Sequence, residues 1–121
     1  MVTEDFCSFE LAKLLKEKGF DEVCYRLYNT EEKELWGTDG IAFVNHEADE
    51  DTIAAPTHQM VLKWCREKGY YIYFPPGLNR FEDDAYIPHI VRRYGVSAIG
   101  THKGYYNAVE YAIKYVLENL I

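Results

Sequence analysis

The chain has 121 residues and a formal net charge of −7. That length suits a single domain over residues 1–121, able to bury a core without disulfide or metal staples. Its charge excludes phosphate-driven binding of DNA or RNA, which needs clustered Lys and Arg, and disfavours an anionic membrane surface. It leaves open a basic protein partner, including one that itself holds nucleic acid. Eleven of the residues are tyrosine; an amphipathic ring suits the edge of a core or an interface.

The first predicted element is a helix. Ser8 is a good N-cap, Leu11, Leu14 and Leu15 share one face, and Gly19 ends it in the left-handed conformation that glycine adopts most readily. "EVCYRLY" follows, where Val23, Tyr25 and Leu27 alternate as in a half-buried strand. "NTEEKELWGTDG" is expected to be a polar turn region and "IAFV" (41–44) a short strand. The acidic stretch "HEADEDTIAAPTHQ" is expected to be a solvated loop delivering Pro56 to the first position of a second helix. Met60, Val61, Trp64 and Cys65 form that helix's apolar stripe, and Gly69 stops it. "AKLLKEKGF" and "LKWCREKGY" match at an offset of fifty residues. The match is either the trace of an old duplication of a helix–strand–strand unit or the chance recurrence of a generic amphipathic helix.

Beyond Gly69, "YYIYF" reads as a tyrosine-rich strand and "PPGLNRFEDD" as a loop. "AYIPHIVRRYG" fits either a short helix with Pro88 in its first turn or an edge strand. The strand reading, turning near Gly95 into "VSAIG" as a hairpin, is the expectation. The last helix has the clearest pattern: Val109, Ala112, Ile113, Val116, Leu117 and Leu120 form one stripe. Glu110 and Lys114 are expected to pair on its outer side. Tyr111 and Tyr115 fall off the stripe, together on the far face, and with Tyr71 and Tyr73 they are the candidate interaction surface.

The chemistry-bearing residues form no known catalytic or metal-binding pattern. His46, His58, His89 and His102 are dispersed, with no HExxH, EF-hand or GxSxG spacing. Hence no catalytic residue, metal ligand or cofactor is assigned. Cys7, Cys24 and Cys65 form no CxxC pair and are expected to be buried free thiols of a reducing, cytoplasmic compartment; Cys7, just before a helix, is the mild candidate for reactivity. Arg92 and Arg93, read beside His102 and Lys103, are a cluster able to meet an acidic ligand. The N-terminus reads as neither a signal peptide nor a membrane span.

"APTHQMVLKWCREKG" and the terminal "NAVEYAIKYVLENLI" resemble a family of short uncharacterised proteins of gut bacteria, often carried on phages or mobile elements. "SFELAKLLKEKGFD" is similar as well. Cys65 stands where that family usually has leucine. The resemblance implies a small intracellular α+β protein and transfers no catalytic residue.

The expectation is therefore an α+β fold in the order α-β-β-α-β-β(-β)-α, with three helices on a mostly antiparallel sheet. The expected role is a non-enzymatic accessory or interaction domain, a homo-oligomer or the partner of a host protein, with no direct nucleic-acid or membrane contact. The alternatives are an acidic decoy of a basic nucleic-acid-binding protein, working through the acidic runs at 31–34, 47–51 and 82–84, and a small enzyme or ligand-binding domain with a helix–sheet pocket.

Overall fold

A computed structural model describes residues 5–76 and 85–121. The acidic run at 82–84 and most of the expected proline–glycine loop lie outside the described residues. The protein is α+β, with three helices and antiparallel strands in three small sheets, and its chain divides into two compact units, residues 1–57 and 58–121.

In the first unit, helix α1 (Phe9–Glu17) starts where Ser8 Oγ accepts from Leu11 N at 3.2 Å. It buries Leu11, Ala12 and Leu15, while Leu14 is only half-buried. Its end is a Schellman turn. Gly19, at φ +88°, donates to Lys16 O, and the fully buried Phe20 donates to Leu15 O. Strands β1 (Arg26–Asn29), β2 (Leu35–Gly37) and β3 (Thr52–Ala54) then form an antiparallel sheet in the order β2-β1-β3. Tyr28, Leu35 and Ile53 share one face of it, and the Tyr28 ring meets Phe9 of α1 edge-on at 5.7 Å.

Three expectations change here. Strand β2 lies in the segment read as a turn, and β3 in the one read as a solvated loop. Conversely, 41–44 forms only an isolated bridge, Phe43 with Cys24. Exposure explains the first error: all three β2 residues are exposed, so this edge strand lacks the alternation by which strands are recognised. Asn45, in a short 3₁₀ turn (Asn45–Glu47), holds β3 in place. Its buried amide donates to Phe20 O at 2.7 Å and accepts from Ala54 N at 2.9 Å. Thus the acidic segment carries a structural strand into the core, with Ile53, Ala54 and Ala55 all buried.

The second unit opens with α2 (His58–Glu67), which buries His58, Val61, Leu62, Trp64 and Cys65. Pro56 sits two residues before the helix rather than at its first position; Thr57 instead bridges Phe6, and Pro56 O accepts from Cys7 N. The end of α2 repeats that of α1 bond for bond: Gly69, at φ +94°, donates to Arg66 O and Tyr70 to Cys65 O. The fifty-residue match therefore extends to the hydrogen bonds of the two helix ends. Beyond them the paths differ, since β4 (Tyr71–Tyr73) follows Gly69 at once whereas β1 lies seven positions after Gly19.

Strand β4 joins β6 (His89–Arg92) and β7 (Gly95–Ala98) in the order β4-β6-β7. The hairpin expected near Gly95 is present over 89–98, but Ala85 and Tyr86 pair outside it. Strands β5 (Ala85–Tyr86) and β8 (His102–Lys103) form a separate pair. Helix α3 (Tyr105–Asn119) packs on this pair and on α2. It buries Val109, Ala112, Ile113, Val116 and Leu117, as its stripe predicts, and Ala108 too. Among the described residues the short strands form three small sheets instead of one. Among the described residues, no helix is long and apolar enough to cross a membrane.

Candidate functional site

The pairing register of β4-β6-β7 sorts its side chains into two faces, because residues directly opposite one another point the same way. Ile72, Ile90 and Ser97 share one face, and Ile90 is fully buried. The other face carries two rows, Tyr71–Val91–Val96 and Tyr73–His89–Ala98. This second face is open. Tyr71 is 54% exposed, Tyr73 47% and Val96 58%, while Ala98 is exposed and Val91 and His89 are half-covered. The Tyr73 and His89 rings stack at 4.9 Å, and His89 Nδ1 lies 2.8 Å from Ile87 O, which fixes the ring. The outcome is a largely apolar and aromatic surface whose six positions include no carboxylate, lysine or arginine.

Of the four tyrosines singled out from the sequence, Tyr71 and Tyr73 sit side by side on this face. Tyr111 and Tyr115 lie on α3. Tyr111 is exposed, but its ring packs on His102 of β8 at 4.0 Å; Tyr115 is half-buried. Other aromatics of α3 are also engaged: Tyr105 meets Phe74 and Tyr86 edge-on, each at 5.4 Å, and Tyr106 covers the His58 ring at 4.7 Å.

The expected Glu110–Lys114 pair does not form. Glu110 turns inward, its Oε2 lying 2.6 Å from His58 Nε2, and Lys114 instead faces Glu118 at 3.9 Å. A carboxylate only accepts, so the imidazole proton at this contact sits on Nε2. His58 Nδ1 is buried with no hydrogen-bond partner, and the side chain is only 5% exposed. A ring so enclosed cannot deliver a proton to a ligand in solvent; here it joins α2 to α3. No spacing rule links residues fifty-two positions apart, so sequence reasoning missed the pair.

The remaining titratable groups are also held locally. His46 Nδ1 lies 2.6 Å from Asp21 Oδ2, and the His46 N–H donated to Asp21 lowers that carboxyl from its ordinary value, helped by the ring. Asp49 is likewise lowered by the Asp51 N–H and the Thr52 hydroxyl. His102 Nε2 lies 3.0 Å from Ile99 O. All three cysteines are buried and none is in a disulfide. Burial pushes the Cys24 thiol up to about 11, with the Glu22 charge adding to it, and the Cys65 thiol up to about 12 against the opposing pull of Lys68 and Arg66. Cys7, the candidate for reactivity, is fully enclosed.

A second feature lies at the tip of the β6–β7 hairpin. Arg92, Arg93 and Tyr94 there, with Lys68, Gly69 and Tyr70 from the end of α2, line an open depression of about 590 Å³. Lys68, not the expected Lys103, thus shares this depression with Arg92 and Arg93, while Lys103 is paired into the separate β5–β8 ladder.

Comparison with protein-family models, with curated proteins and with solved structures finds no match.

Proposed function

We propose that the protein is a non-enzymatic interaction domain that associates with a second copy of itself through the Tyr71–Val91–Val96 and Tyr73–His89–Ala98 face. The observation that carries this reading is a sheet face on which Tyr71, Tyr73, Val96 and Ala98 are exposed, on a chain with a net charge of −7. A one-layer sheet normally covers its apolar side, and exposed apolar patches mark interaction surfaces. The face contains no carboxylate, so two copies meet on it without bringing their excess negative charge into contact. A two-fold arrangement lays the same rows against each other, the commonest symmetry for such an assembly. Each of the four histidines is held by a hydrogen-bond contact within the fold, which supports a binding rather than a catalytic role.

Sedimentation equilibrium over a wide concentration range tests the reading. The expected result is a reversible dimer that Val96→Asp converts to monomer and Val96→Ile preserves, with unchanged circular dichroism for both. A wild-type monomer at the highest soluble concentration, or a dimer indifferent to Val96→Asp, overturns it.

A further inference from the structure

We infer that the depression at the hairpin tip is a binding site for a small phosphomonoester carrying a flat aromatic group. It is separate from the exposed sheet face. Arg92 shares the inward-facing side of the sheet with Ile90 and Ser97, and its Nη2 donates to Ser97 Oγ at 3.1 Å. The depression is lined by residues from the end of α2 and the hairpin tip, and its described lining includes none of Tyr71, Val91 and Val96.

Three observations define the ligand. First, the described residues that line it include three cations, Lys68, Arg92 and Arg93, and no carboxylate. Among the described residues none of the three forms an ion pair; they contact only Trp64, Ser97 and Tyr94, which leaves their charge uncompensated on an acidic protein. Two guanidinium groups and one ammonium suit a dianion, and the planar forks of arginine match phosphate oxygens two at a time. Second, Tyr94 is 89% exposed, and its ring is already approached by the Arg93 guanidinium at 5.3 Å. An aromatic surface beside an arginine offers a stacking platform for a planar group. Third, about 590 Å³ is the size of a small-molecule cleft. A nucleic acid strand is disfavoured, since its phosphates continue beyond a three-cation footprint onto an acidic surface.

The test is titration of the full chain with inorganic phosphate, phenyl phosphate and benzoate, followed by amide and arginine side-chain NMR shifts at low salt. Saturable shifts are expected at Lys68, Gly69, Arg92, Arg93 and Tyr94, with phenyl phosphate binding about tenfold more tightly than phosphate and benzoate most weakly. Arg93→Gln combined with Lys68→Gln should abolish binding. Tyr94→Ala should remove the preference for the phenyl ester while retaining phosphate. Val96→Asp, on the other face, should change nothing, so the outcome is independent of self-association. Shifts that do not saturate, or that survive the double substitution in a protein with unchanged circular dichroism, overturn the inference. So does a single-stranded oligonucleotide that binds more tightly than phenyl phosphate at the same residues.

Discussion

Glu110 of α3 reaches across to His58 of α2 and closes to 2.6 Å on its Nε2, although fifty-two residues separate them. This contact links the first residue of one helix to the second turn of the other, and Tyr106, one helical turn before Glu110, covers the ring. Removing the carboxylate leaves a buried imidazole with neither nitrogen bonded by this pair. Glu110→Ala should therefore cost about 3–5 kcal/mol in denaturant unfolding. Glu110→Gln, whose amide oxygen still accepts from Nε2, should cost about 1 kcal/mol. Glu118→Ala, which breaks the exposed pair with Lys114, should stay within about 0.5 kcal/mol. Equal losses for Glu110→Ala and Glu118→Ala would show that the buried contact is not structural.

Asn45 should be the most sensitive polar residue of the first unit. Its amide satisfies Phe20 O and Ala54 N at once, joining the end of α1 to β3. Asn45→Ala leaves both backbone groups buried without that partner and should cost about 2–4 kcal/mol; Asn45→Asp, which sets a buried carboxylate oxygen against Phe20 O, should cost at least as much. Hydrogen exchange at Ala54 N should accelerate in Asn45→Ala; unchanged protection there would contradict this role.

Gly19→Ala and Gly69→Ala should destabilise by similar amounts, about 1–2 kcal/mol each. Both glycines adopt positive φ in the same Schellman turn, and an added Cβ at either meets no atom within 4 Å. The cost is therefore that of the left-handed backbone alone. A loss at only one site would mean that the two helix ends are not equivalent.

Native Cys24 and Cys65 should react slowly with a disulfide reagent at pH 8 and quickly once the chain is unfolded. Burial raises both thiols from an ordinary value of 9.0, to about 11 and about 12 respectively. The unfolded chain therefore releases these protons first as pH rises. Their contribution to stability is fully present below pH 9.0 and is lost as pH climbs through about 11 and about 12. Unfolding midpoints measured up the alkaline limb should fall in the wild type and less so in Cys24→Ala with Cys65→Ala.

At the acid end, Asp21 and Asp49 should titrate below their ordinary value of 3.8 by carboxyl carbon NMR, held down by the backbone N–H groups of His46 and Asp51. What they contribute to stability is present above 3.8 and is lost as pH falls through their depressed values. Ordinary titration at both positions would mean that these loop hydrogen bonds are absent in solution.

The sequence by itself determined the three helices, most of their buried stripes (Leu14, Met60 and Leu120 are only half-buried), both glycine stops and a hairpin around Gly95. Each depends on neighbours within a few positions: the stripe on helical spacing, the stops on the left-handed conformation of Gly19 and Gly69, the hairpin on alternation around Gly95. Tertiary structure decided the rest. Strands β2 and β3 exist because β1 lies between them to pair with, which an exposed "LWG" or an acidic "TIA" segment does not announce. Tyr71 and Tyr73 stand on an open face because register sets Val91, Val96, His89 and Ala98 beside them, whereas Tyr111 found His102. Likewise Lys68 lines one depression with Arg92 and Arg93, and Glu110 contacts His58, although these residues are far apart in the chain. Local periodicity records which side of an element is apolar; which partner that side or its opposite meets depends on chain crossings that periodicity does not encode.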